Sequence, residues 1–107
     1  MVLKSHEGNT MDRDPVRTDP ELYSVVFEND RVRVLEYRDR PGDRTSEHGH
    51  PDMVIIPLST FRRRLTVGGQ TVEVHKTRHE AGWVPAQTHI GENIGDTESH
   101  SLFVELK

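Results

Sequence analysis

Gly68-Gly69 stands between two strand-like runs, Phe61–Val67 (FRRRLTV) and residues 70–77 (QTVEVHKT). Glycine reaches the positive φ that a two-residue hairpin turn needs, so the pair predicts a β-hairpin. The same pattern of short run and turn recurs along the chain. Asn29-Asp30 separates Tyr23–Glu28 (YSVVFE) from residues 31–38 (RVRVLEYR), and Arg40-Pro41-Gly42-Asp43 then makes a tight turn. Residues 53–58 (MVIIPL) are the most apolar run and predict a central strand. Pro57 within it marks a bulge or an edge position, because proline donates no ladder bond. Trp83-Val84, a short piece around His89, and residues 99–106 complete the set, with Gly95-Asp96 as the last turn. No long amphipathic helix is visible. Many short strands with regular turns predict an all-β barrel or sandwich, and a jelly roll is the expected form.

A chain of 107 residues has room for one core. Only 32% of it is apolar, which suits a barrel, where every second strand residue faces inward. Lys and Arg number 14 against 18 Asp and Glu, so the net charge is −4 and nucleic-acid binding is disfavoured. The one basic run, Arg62-Arg63-Arg64, reads as a solvated stretch of strand. Without cysteine there is no disulfide framework, thiolate zinc site or cysteine nucleophile. No apolar run approaches the ~20 residues that span a membrane. Met1-Val2-Leu3-Lys4-Ser5-His6 lacks the apolar stretch of a signal peptide, so the cytoplasm is the expected compartment. Residues 1–20 are polar, carry Pro15 and Pro20 and show no period. They are expected to form an N-terminal arm, either flexible or laid over a barrel (its own or a partner's), with residues 21–107 forming the barrel itself.

Seven histidines are many for this length, and without cysteine a tight transition-metal site would rest on them. His48 and His50 flank Gly49. In an extended strand, side chains at i and i+2 share a face, so two imidazoles about 6.5–7 Å apart along the backbone can converge on one ion. A third ligand must come from a distant strand, and His89 is the candidate.

At this point the residues resemble a known family. Gly42, five residues, then His48-Gly49-His50 is similar to the first cupin motif. Pro85, three residues, His89, three residues and Asn93 is similar to the second. The resemblance runs from about Tyr23 to Lys107. It implies a jelly-roll barrel with a mononuclear metal inside, held by His48, His50 and His89. The family's further glutamate ligand would fall at Val54 or Ile55, neither of which binds metal, and Ser59-Thr60 replaces the closing glycine. Three arrangements therefore stay open. Three neutral histidines can hold a divalent ion facially, as certain thiol and diketone dioxygenases of the cupin group do. Alternatively Asp52 swings in as a fourth ligand, or holds a histidine's other ring nitrogen or caps a turn. Finally the metal is lost and the histidines serve as acid and base.

Other candidates are weaker. Glu92 could act as a general base, while its neighbour Asn93 most often tethers a loop in the family. Tyr37 and Arg33 share parity and compete with Val32 and Val34 for the barrel interior; the valines are the cheaper set to bury. His100 shares parity with Leu102, Val104 and Leu106, which leaves it either facing inward or as a hydrogen-bonded structural residue. Trp83 either packs over the barrel mouth or is core. His6 lies in the arm, His79 in a turn and His75 in a strand. The expected function is a mononuclear metal-dependent enzyme on a small organic substrate, with dioxygenase chemistry at Fe(II) favoured and Ni, Mn or Zn as other ions. A Lewis-acid isomerase or lyase is a close variant, and a non-catalytic metabolite-binding cupin is the rival. A homodimer that covers exposed sheet edges is expected.

Overall fold

The computed structural model describes residues 13–107. Among them one short helix, α1 (Pro15–Thr18), precedes nine strands. The strands are β1 (Tyr23–Glu28), β2 (Val32–Asp39), β3 (His48–His50), β4 (Met53–Pro57), β5 (Phe61–Val67), β6 (Gln70–Lys76), β7 (Gly82–Val84), β8 (Gln87–Asn93) and β9 (Ser99–Leu106). One sheet runs β1-β2-β9-β4-β7 and the other β3-β8-β5-β6, all pairs antiparallel. This is the all-β double-stranded barrel that the turns and short runs anticipate.

The predicted hairpin is present. Gly68 and Gly69 have φ of +57° and +81°, and β5 pairs with β6 from Phe61↔Lys76 to Val67↔Gln70. β4 lies between β9 and β7, as its apolar run suggests. Pro57 is its last residue, opposite Ser101 of β9 and past the end of β7, so no ladder bond is lost.

The interior is chemically mixed. Its apolar part is Tyr23, Leu35, Tyr37, Met53 and Phe103, with Phe61 on the other sheet. The polar part includes Asp39, Asn93, Ser99, Ser101 and Glu105, each 3% exposed or less. The assignment on β2 therefore reverses, and the open choice on β9 is decided. On β2 the inward set is Arg33, Leu35, Tyr37 and Asp39, and Val32 and Val34 lie on the outer face. On β9 it is Ser99, Ser101, Phe103 and Glu105, so His100 does not face inward. Hydrogen bonds satisfy these buried polar side chains except Ser101 Oγ, which removes most of the penalty that favoured burying the valines. The outer face of the five-stranded sheet is correspondingly apolar. One cross-strand row reads Phe27, Val34, Val104, Val54, Trp83, with Phe27 and Trp83 more than half exposed.

Residues 13–20 lie against the chain's own barrel. The Asp14 side chain accepts from Val16 N at 2.9 Å to cap α1, and Pro15 takes the first helical turn, where its missing N–H is harmless. Asp14 also pairs with Arg33 at 2.8 Å, and Gly49 N donates to Arg13 O at 2.8 Å. The rest of the predicted arm, His6 included, lies outside the described residues. Among the described residues no helix is long and apolar enough to cross a membrane.

Candidate metal centre

The short strand β3 positions two imidazoles by its pleat alone: His48 and His50 point to the same side, inward, and Gly49 to the other. β3 pairs with β8 so that His48 is directly opposite His89. The three rings consequently meet, with centroids 4.8, 4.8 and 5.3 Å apart. One ring nitrogen of each lies within 4.8 Å of the others. All three residues are buried, at 0%, 5% and 7% exposure for His48, His50 and His89.

Each ring is held from behind by a different acceptor. His48 Nδ1–H donates to Ser46 O at 2.9 Å, His50 Nδ1–H to Glu105 Oε2 at 2.8 Å, and His89 Nδ1–H to Gln87 Oε1 at 2.6 Å. A carbonyl, a carboxylate and an amide oxygen only accept, so each Nδ1 carries a proton, and in the neutral ring Nε2 is the nitrogen with the lone pair. This is the tautomer a metal needs, fixed by partners behind the ligands. The Nε2 of His50 is buried with no hydrogen-bond partner, and that of His48 has only the Tyr23 hydroxyl at 3.3 Å. An orphaned buried lone pair among three neutral imidazoles fits a divalent transition ion.

Burial, followed by the neighbouring His50, pulls the His48 imidazole down to about 4. Burial and then His48 pull His89 down to about 3. Ordinary imidazoles titrate near 6.5. Below that pH the unfolded chain takes up protons that the folded, metal-free protein refuses, so stability falls as the pH drops from about 6.5 towards 4. Above 6.5 both states are neutral there and the two residues impose no slope. His48 alone corresponds to a loss on the order of 3 kcal/mol. Denaturant unfolding in chelator at pH 7, 5.5 and 4.5 checks this; a stability unchanged across that series would contradict neutral, buried rings.

Beside His89 a cavity of about 210 Å³ runs between the two sheets, walled mostly by apolar side chains such as Met53, Ile55, Phe61, Leu65 and Phe103. At Ile55, one of the two positions where a cupin glutamate would stand, the wall is therefore apolar; Val54 is on the outer row.

A solved cupin domain from Bordetella pertussis Tohama I is 32% identical to this chain, covering 80% of it and 92% of that domain, with a TM-score of 0.75. The chain belongs to the cupin superfamily. A Klebsiella pneumoniae protein with a double-stranded β-helix domain shares the fold at 22% identity and a TM-score of 0.64, over 79% of this chain and 75% of that one. So does the polyketide cyclase RemF from Streptomyces resistomycificus, at 22% identity and a TM-score of 0.58, over 78% of this cupin and 63% of the cyclase. No family model and no curated protein matches the sequence.

The remaining candidates fall in different places. Asp52 is exposed and its carboxylate accepts from Ala86 N at 2.8 Å, tying β4 to the start of β8; it is not part of the histidine group. Glu92 is on the outer face of β8, 3.4 Å from Arg64. His100 is also outside, 2.6 Å from Glu36, and so is a hydrogen-bonded structural residue. Trp83 is 57% exposed on the outer face of β7, neither core nor cavity wall. Asn93 does tether a loop: it donates to Thr97 O at 2.8 Å and accepts from Gly95 N at 3.0 Å. Tyr37 lines the cavity, whereas Arg33 serves Glu105 and Asp14. Of the basic run, Arg62 is solvated and Arg64 partly so, but Arg63 turns inward to Asp39 and Tyr37. A Cβ at Gly91 would meet the Arg63 guanidinium at 2.6 Å, so glycine makes that inward course possible.

Sequence reasoning missed Glu105, Gln87, Tyr23 and Arg63. Gln87 left a local trace, since it shares strand parity with His89 two residues away and faces the same side.

Proposed function

We propose that this cupin is a mononuclear metal-dependent enzyme with a three-histidine site that acts on a small organic molecule, with dioxygenase chemistry at Fe(II) as the preferred reaction. The observation that carries this reading is the set of three Nδ1 partners, which leaves three Nε2 lone pairs directed together beside a cavity. His48, His50 and His89 would hold the ion, and a bound Fe(II) would supply open positions for substrate and dioxygen. The chain's own residues do the rest. The apolar wall excludes water from the reacting groups. Burial raises the Tyr23 hydroxyl well above its ordinary pKa, so it remains a proton donor 3.3 Å from His48 Nε2.

The test is elemental analysis of the protein as purified, followed by oxygen uptake after iron loading. Stoichiometric iron with substrate-dependent oxygen uptake is the expected result. Stoichiometric nickel, manganese or zinc without oxygen uptake would replace oxygenation by Lewis-acid isomerisation or elimination. A folded protein that takes up no divalent metal would overturn the enzyme reading in favour of a metabolite-binding cupin.

This reading includes a homodimer. What supports it is the outward apolar row of Phe27, Val34, Val104, Val54 and Trp83, a surface whose chemistry suits cover by a second copy. Sedimentation at micromolar concentration should give a dimer, and Phe27→Asp should give a folded monomer. A wild-type monomer would refute it.

A further inference from the structure

We propose that the cavity takes a small carboxylate with an apolar body, and that Lys76 recognises its charge. This rests on the reading that the cavity beside His89 is the substrate pocket, and it adds the class of molecule that enters. Two side chains lining the cavity are basic, Arg63 and Lys76, and no aspartate or glutamate lines it. The two cations are not equivalent. Arg63 donates to Asp39 at 2.5 Å, to Ser99 Oγ at 3.2 Å and to the Tyr37 hydroxyl at 3.1 Å, so its charge is already balanced. Among the described residues Lys76 has no carboxylate within 4.0 Å and no side-chain hydrogen bond.

The fold places that ammonium at a useful point. Lys76 ends β6, the edge of the four-stranded sheet, directly opposite Phe61 of the cavity wall. Its Nζ lies 3.8 Å from where a Cβ of Gly82 would stand, and Gly82 begins β7, the edge of the other sheet. The side chain thus reaches across from one sheet edge to the other, laying its stem over apolar wall and its charge at the rim. An ammonium without a counter-charge, carried on a half-buried residue, favours an anion brought by the ligand. A phosphate dianion asks for several donors, and this wall offers one free ammonium amid mostly apolar surface. A single carboxylate on an apolar body matches it. The three imidazoles contribute no negative charge, so nothing in the centre opposes such a ligand.

Benzoate and benzamide are probes of the same shape that differ in charge. Their binding to the full-length protein as purified can be measured by calorimetric titration, with metal content determined on the same samples. Benzoate should bind about tenfold or more tightly than benzamide. Lys76→Gln should bring benzoate down to the benzamide level without changing benzamide binding, metal content or thermal unfolding. Lys76→Arg should keep the preference. Equal binding of the two probes, no saturable binding of benzoate, or a preference that survives Lys76→Gln would each overturn the proposal. A Lys76-dependent preference in a protein without metal would sustain this proposal and sink the metal-enzyme reading; stoichiometric metal with no preference would do the reverse.

Discussion

Replacing His89 with alanine should abolish stoichiometric metal binding while the barrel stays folded. The reason is the composition of the centre. Many metal sites pair histidines with a carboxylate, and the anion supports binding when one imidazole is lost. Here Ile55 presents an apolar wall where the cupin glutamate would stand, and no carboxylate belongs to the histidine group. Two neutral imidazoles are a poor anchor for a divalent ion. His89 also lines the cavity wall at the sheet surface, so its truncation enlarges a space that already exists. Two controls bracket the result. Glu105→Gln weakens the acceptor behind His50 and should reduce metal affinity about 10–100-fold, as changes in such supporting partners do. Asp52→Ala should leave metal content unchanged, because that carboxylate is engaged by Ala86 N. Elemental analysis after dialysis, with thermal unfolding to confirm the fold, reads all three. If Asp52→Ala emptied the site as His89→Ala does, Asp52 would be a ligand and the three-histidine assignment would fail.

How far the sequence reveals this centre depends on which part is asked about. His48, Gly49 and His50 announce themselves because a strand's period of two puts the histidines on one face, and the turn glycines delimit the strands around them. Ser46 and Gln87 hold His48 and His89 from two residues away, but the group that holds His50 is hidden because it comes from elsewhere in the fold. Glu105 is 55 residues from His50 and meets it only because β9 lies at the centre of its sheet. Hydrophobic alternation then misleads on β2 and β9. In most half-buried strands the more apolar set faces the core, which would send Val32 and Val34, or Leu102 and Val104, inward. This interior is a site as well as a core. Ser99, Glu105, Arg33 and Asp39 occupy it beside Ser101, these four satisfied by partners that only the assembled barrel provides, and the valines take the outer face. The same cause disguised Arg63: three consecutive arginines read as a solvated run, yet in a strand the middle one must face opposite to its neighbours.

That inward arginine carries the second large effect. Asp39→Ala should destabilise the protein by about 3–5 kcal/mol, the penalty of leaving a buried charge without its partner. Asp39 is 2% exposed and gathers donors from four places. Arg63 donates to it at 2.5 Å, Asn93 Nδ2 at 3.0 Å and Ser99 N at 3.2 Å, and the Tyr37 hydroxyl also donates to it. These residues belong to β2, β5, β8 and β9, so one carboxylate joins both sheets. Removing it strands the Arg63 guanidinium beside the cavity and leaves the Tyr37 hydroxyl without its acceptor. The double variant Asp39→Ala with Arg63→Met removes both charges and should recover much of the loss, since a buried ion pair contributes little beyond an apolar replacement of similar shape. Denaturant unfolding at pH 7 in chelator measures the two variants free of any contribution from bound metal. A single variant that loses less than about 1 kcal/mol would mean that Arg63 finds solvent or another anion when Asp39 is gone. A double variant no better than the single would mean that the loss lies in the hydrogen bonds to Tyr37, Asn93 and Ser99, not in the unpaired charge.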